Sequence, residues 1–269
     1  MKTIKIAFLL MGMFISLTIV AQAPKKIVSK GPGSLSGLIK QSELTTITSL
    51  QVSGSMDARD FVCIRKMSKL KRLDLSAVSI EAYRGVGGTA LGADTIEYQC
   101  CEIPQMAFSD LGGTAKCDSL RVIYLPAELA AIGYAAFTGC SRLTEVYNTG
   151  KLIAICEMAF QDCSSLKKFT LGPTLKYVQS QAFQRCGLES LTFSSESLDA
   201  LDATTFYFCS KLKQITVLSA APVKFNVPEG LFLSLHADLD KLVVSVPKGT
   251  KAMYASDPNW MVFKNLIER

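Results

Sequence analysis

The amino-acid sequence predicts a mainly β solenoid of stacked coils. Three observations carry that prediction: a short phrase that recurs at a fixed period, a strand pattern in phase with it, and a second apolar row at a constant offset. The phrase is built on Phe108, Phe137, Phe160, Phe183 and Phe206, spaced by 29, 23, 23 and 23 residues. Ala107, Ala136, Ala159 and Ala182 stand just before four of these rings, and Cys140, Cys163, Cys186 and Cys209 stand three positions after the last four.

A period near 23 residues lies in the leucine-rich-repeat range, where one coil cannot bury its apolar edge until neighbours stack on it. The strand of each coil follows L-x-x-L-x-L. Eight rungs can be read: Ile47/Leu50/Val52, Leu70/Leu73/Leu75, Leu120/Ile123/Leu125, Leu143/Val146/Asn148, Leu166/Phe169/Leu171, Leu188/Leu191/Phe193, Leu212/Ile215/Val217 and Leu239/Leu242/Val244. The second apolar row is Ile103, Ile132, Ile155, Val178 and Leu201, each five positions before its Phe. The core is therefore expected to be two-sided, with one parallel sheet of strands about 4.8 Å apart and the Phe row with its turns as the opposite wall. The 50-residue step from Leu70 to Leu120 exceeds one coil and marks loop insertions, the larger at about 81–101, that leave the stack unbroken.

Ahead of the repeats, Lys2 and Lys5 flank an apolar run from Ile6 to Val20 that ends in Ala21-Gln22-Ala23. This reads as a secretory signal peptide cleaved after Ala21, because the run is too short and wrongly flanked for a membrane span. No cysteine precedes Cys63, so the lipobox of a lipoprotein is missing and the mature chain is expected to be exported without an N-terminal lipid anchor. The expected organisation is a signal peptide at 1–21, an N-terminal cap and first coil at 22–69, repeats at 70–246 and a C-terminal cap at 247–269.

A net charge of +6, with its lysines and arginines scattered, gives no basic stripe for nucleic acid. Of nine cysteines, Cys117, Cys140, Cys163, Cys186 and Cys209 share one repeat position. Stacked copies would carry parallel Cβ vectors too far apart for a disulfide, so they read as small buried hydrophobes. Cys63, Cys100, Cys101 and Cys156 lie outside this ladder, and a bridge from Cys100 or Cys101 to Cys63 is left open. No metal site or cofactor is expected, since no C-x-x-C or C-x-x-H pair occurs and the G-V-G-G-T-A of the insertion fails the dinucleotide pattern at Ala90.

The phrases IGYAAFTGCSRLTEV (Ile132 to Val146) and ICEMAFQDCSSLKKFTLGPTL (Ile155 to Leu175) resemble the BspA-type leucine-rich repeat of exported and cell-surface proteins from gut and oral anaerobic bacteria. The resemblance covers roughly Ile103 to Val217, and the flanks resemble the caps of that family. Caps have a physical role, because the end coils of a solenoid expose apolar faces. A short helix from Met56 to Met67, with Phe61, Ile64 and Met67 on one side, is expected at the N-terminal end, and Tyr254, Trp260, Phe263 and Ile267 at the other.

The resemblance implies a non-enzymatic, adhesin-like binding role toward a host matrix or bacterial surface protein. A glycan ligand is the alternative, and the destination is left open between cell surface, medium and periplasm. Strand residues that alternate with the buried ones point outward. Among them Tyr124, Glu145, Tyr147, Lys168, Thr170, Thr192 and Gln214 form the candidate ligand face, with Tyr124 and Tyr147 stacked in adjacent coils. The insertion YRGVGGTALGADTIEYQCC is the second candidate site. Catalysis is not expected. The single histidine, His236, would need a reactive thiol beside it, and the ladder thiols are expected to be buried and inert.

Overall fold

The computed structural model describes residues 23–90, 92, 94–109, 117–225 and 231–269. The expected signal segment at 1–21 lies outside the described residues. Alternating segments such as KFTL, SLTF and QITV bury one side chain in two, which is the signature of strands lying on a core with the other face in water. Ten such strands form the front of the solenoid: β1 (Lys25–Val28), β2 (Ser49–Met56), β3 (Arg72–Ile80), β4 (Val122–Tyr124), β5 (Glu145–Tyr147), β6 (Lys168–Leu171), β7 (Ser190–Phe193), β8 (Gln214–Val217), β9 (Val243–Val246) and β10 (Asn265–Glu268). All pairings among them are parallel, yet they fall into two five-stranded sheets, β1 to β5 and β6 to β10.

The expectation of a single sheet is thus corrected in two ways. The front ladder is interrupted between β5 and β6, and the second apolar row forms a sheet of its own. Its two-residue strands, Glu102–Ile103, Ala131–Ile132, Ala154–Ile155, Tyr177–Val178 and Ala200–Leu201, pair in chain order without a gap. Between front and back runs one continuous apolar core.

Most of the predicted rungs pair as read: Leu50 with Leu73, Leu73 with Ile123, Ile123 with Val146, Phe169 with Leu191, and Leu191 with Ile215. The last does not. Ile215 pairs with Val244, two residues beyond the expected Leu242, and Val243 rather than Lys241 stands beside Gln214. Leu242, Val244 and Val246 are all buried, and a shift of two keeps the same face inward, so the apolar pattern fits either register. Strands β1 and β10 were not expected. In β10 Leu266 turns inward and Ile267 is 48% exposed, so Ile267 does not join Tyr254, Trp260 and Phe263 in the core as predicted.

The Phe turns supply a third ladder. The amides of Phe108, Phe137 and Phe160 donate to the carbonyls of Ala136, Ala159 and Ala182 at 2.8 Å, and Phe183 donates to Thr205 at 2.9 Å. All five rings are fully buried and stack in a column with centroids 4.7, 5.1, 5.2 and 5.6 Å apart. The turn is tight enough to need left-handed backbone on both sides of the ring. Met106, Ala135, Met158 and Gln181 adopt it two residues before, and Gly139, Asp162, Arg185 and Phe208 two residues after. Phe108 adjoins an insertion, which on the sequence alone predicts a less enclosed ring than that of Phe160. It is equally enclosed, wedged between Phe61 and Phe137.

The ladder thiols are buried as predicted, with a role the sequence did not reveal. Cys163, Cys186 and Cys209 donate to the carbonyls of Phe137, Phe160 and Phe183 in the preceding coil, at 3.3, 3.0 and 3.1 Å. All nine cysteines are free thiols. The helix α2 (Ala58–Arg65) follows the short α1 (Leu35–Leu38) and buries Phe61, Cys63 and Ile64, with Met67 just beyond it. From its last turn Arg65 donates to the carbonyls of Thr89, Met106 and Ser109, which ties the insertion and the first Phe turn to the helix.

Two outcomes follow. Phe160→Ala is expected to lower unfolding free energy by about 3–5 kcal/mol in a denaturant titration, and a neutral result would contradict a packed Phe column. Burial pushes the Cys117 thiol from 9.0 up to about 12. Its neutral form is the one the fold accommodates, so its contribution to stability is full below pH 9.0 and is lost as pH rises toward about 12. At neutral pH a small thiol reagent should therefore modify exposed Cys100 and leave Cys117, Cys140, Cys163, Cys186 and Cys209 untouched until the chain unfolds, as peptide mass mapping would resolve.

Candidate functional site

The interruption of the front sheet begins at Asn148. In the neighbouring coils this slot holds Leu125 and Leu171, both buried. Asn148 instead takes a left-handed conformation, φ 66°, faces solvent and donates its side-chain amide to the Leu125 carbonyl at 2.8 Å. Asparagine tolerates that region because its short side chain bonds locally. The chain then turns through a 3-10 segment at Thr149–Lys151, and β5 stops after three residues. The coils rejoin directly afterwards. Gly172 lies so close to the turn that a Cβ there would come to 3.0 Å from the Thr149 carbonyl, and the Thr174 hydroxyl donates to Gly150 and Leu152.

A cleft of about 570 Å³ opens at this break. Its floor is Val146 and Phe169, with Glu145 and Tyr147 on one wall and Lys167, Lys168 and Thr170 on the other. Of the seven predicted site residues, Glu145, Tyr147, Lys168 and Thr170 meet here. Tyr124 sits one coil behind, and Thr192 and Gln214 lie one and two strands beyond β6, away from the cleft.

Tyr124 and Tyr147 stack as predicted, with centroids 4.6 Å apart and ring planes at 19°. The other side of Tyr124 is taken by Arg72, whose guanidinium lies 4.3 Å over the ring and donates to the phenol oxygen at 3.0 Å. The stack is closed by a cation at one end and open at the other, where Tyr147, 42% exposed, lines the cleft. The Tyr147 hydroxyl donates to Glu145, and that bond holds the phenol pKa above its ordinary value. Lys167 pairs with Glu189 at 3.1 Å, whereas Lys168 has no ion-pair partner among the described residues.

The repeat pattern does not single out Thr144, Thr149, Ser165, Lys167 or the partly exposed floor at Val146. The signal that finds them is Asn148 itself, a polar residue in an otherwise apolar column. As for the thiol and histidine pairing, His236 is exposed and stacks face to face on Phe208 at 4.3 Å. Burial raises the pKa of Cys163 well above its ordinary value.

Residues 130–226 match, in six copies, the family model described as the BspA type leucine rich repeat region. This stretch is a BspA-type leucine-rich repeat region. The BspA-type repeats thus span the cleft and its neighbouring coils, from the Ala131 strand to the Phe225 strand of the structure. Among solved structures the chain is similar to a leucine rich cell surface protein from Faecalibacterium prausnitzii A2-165, at 12% identity over 90% of this chain and 82% of that one with a TM-score of 0.36. It is also similar to a leucine-rich repeat protein from Bacteroides ovatus ATCC 8483, at 15% identity over 81% and 74% of the two chains with a TM-score of 0.21. No curated protein matches. Among the described residues no helix is long and apolar enough to cross a membrane.

The backbone geometry at the break is testable. Asn148→Leu places a γ-branched residue in left-handed conformation and should cost about 1–2 kcal/mol, while Asn148→Gly should cost less. Equal melting temperatures for the two variants would show that the left-handed turn does not define the break.

Proposed function

We propose that this protein is an exported, non-enzymatic interaction module. It binds an extended segment of a host matrix or bacterial surface protein across the cleft between β5 and β6, as an adhesin does. The observation that carries this reading is the unfinished aromatic stack at the cleft, with Tyr147 open on one side and flanked by Glu145 and Lys168. A rigid amphipathic ring beside an apolar floor and charges of both signs suits a peptide, which offers side chains and main-chain polar groups together. Export to the cell surface rests on the leader read at 1–21, and the retained repeat type is consistent with a role in recognition.

A glycan is the second reading, supported by the same exposed tyrosine face bordered by polar groups. An array carrying host matrix proteins and glycans separates the two. A ligand held at the cleft should lose about tenfold or more in affinity in Tyr147→Ala, as expected for an aromatic anchor, with the melting temperature nearly unchanged. Retention of full binding by Tyr147→Ala and by Lys168→Ala would remove the cleft from consideration.

A further inference from the structure

A second concavity, of about 270 Å³, lies on the outward side of the back sheet. One wall comes from the insertion, where Tyr83–Gly85 and Ile96–Tyr98 form an antiparallel hairpin. The lining relevant to recognition is Tyr98 from the hairpin with Glu102, Gln105, Tyr134, Cys156 and Gln179 from four successive coils. It shares no residue with the cleft on the front sheet.

Glu102 is the unusual member. Its position in the back sheet pairs with Ala131, which pairs in turn with Ala154, so neighbouring coils carry a methyl group where this one carries a carboxylate. The side chain lies half-buried against Gly133, where a Cβ would come to 2.6 Å from Glu102 Oε1 and 2.7 Å from the Ile103 carbonyl. Only a glycine leaves that space. No cation among the described residues acts on Glu102, and burial alone lifts its carboxyl above the usual range. The same pocket is hostile to anions: burial, then the charge of Glu102, pushes the Cys156 thiol up to about 11.

The hairpin fixes the aromatic wall. Tyr98 is buried, its hydroxyl accepts from the Ala90 amide at 2.9 Å, and its ring stacks on Tyr83. Gln179 is oriented as well, since its side-chain oxygen accepts from the Glu157 amide at 2.9 Å. A carboxylate with no countercharge, in a partly desolvated pocket that two tyrosines also line, attracts a cation through both the ion pair and the ring quadrupoles.

We infer that this pocket binds an alkylammonium group, with Glu102 as its counter-ion and Tyr98 and Tyr134 as its aromatic walls. The volume falls just below the range of about 300–1,000 Å³ for small-molecule sites, which fits a short amine or a single lysyl side chain. Those two sources share the ammonium chemistry.

The test is a nuclear magnetic resonance titration of the protein with butylammonium chloride, with an N-acetyl-lysine methylamide, and with butanol as the uncharged control. Both amines should shift signals around Tyr98, Tyr134 and Cys156, and butanol should not. Glu102→Gln should weaken amine binding about tenfold or more, the loss expected for a charged hydrogen bond, while melting at or above the parent temperature. Should Glu102→Gln fail to fold, Tyr134→Leu supplies the same comparison. Tighter binding of the lysyl compound assigns the site to a protein partner, and tighter binding of butylammonium to a free amine. Equal affinity of the parent and Glu102→Gln, or equal shifts from butylammonium and butanol, overturns the inference.

Discussion

The structure depends on the bond that each Phe amide makes to the carbonyl ahead of the next Phe. It sets the spacing of consecutive coils at the turn and places each ring directly over the last. The left-handed residues on either side of the ring are the conformational cost of that geometry, of order 1 kcal/mol or more for a non-glycine residue. Burial of a whole phenyl ring offsets it, at roughly 1.5–3 kcal/mol relative to exposure. The cysteine then has little choice. It sits where only a small side chain fits, and where the carbonyl of the preceding Phe is within reach of a thiol hydrogen.

Because this arrangement is written into each coil, the sequence was most legible where the repeat is most regular. Leu120, Leu143, Leu166 and Leu188 are buried, the isoleucine row forms its own continuous sheet, and Tyr124 stacks on Tyr147. Legibility failed where a period-two pattern permits two answers, as at Leu242 and Val244, where both registers bury the same face. It failed again at Asn148. By its spacing that residue is one more member of the strand column, and its backbone angle explains why the sheet stops. The thiol bonds were invisible for a different reason. Burial follows from composition and period, whereas a donor's partner depends on where the neighbouring coil's carbonyl points.

The two concavities arise from opposite departures from the repeat. At the cleft the chain loses an apolar residue and the front ladder opens, so the walls are made by strand positions already facing outward. At the back pocket the chain gains residues, and an inserted hairpin walls off sheet surface that other coils leave bare. Both are anchored in the scaffold. Arg65 holds the insertion by its carbonyls, and the Thr174 and Gly172 contacts restore the coil stack beyond the break.

An interruption confined to one side also has a mechanical meaning. In a stack whose units touch only their neighbours, stiffness at any level is the sum of the ladders that cross it. Among the coils that carry the back sheet, from Glu102 to Leu201, the front strands, the back strands and the Phe turns cross every junction except that between β5 and β6, where the front strands do not. Bending about the back sheet therefore breaks no front-strand pairing there, and within these coils compliance is concentrated at a single joint. The separation of the two front sheets at that joint therefore bears on the curvature of the stack and on the angle between its two ends.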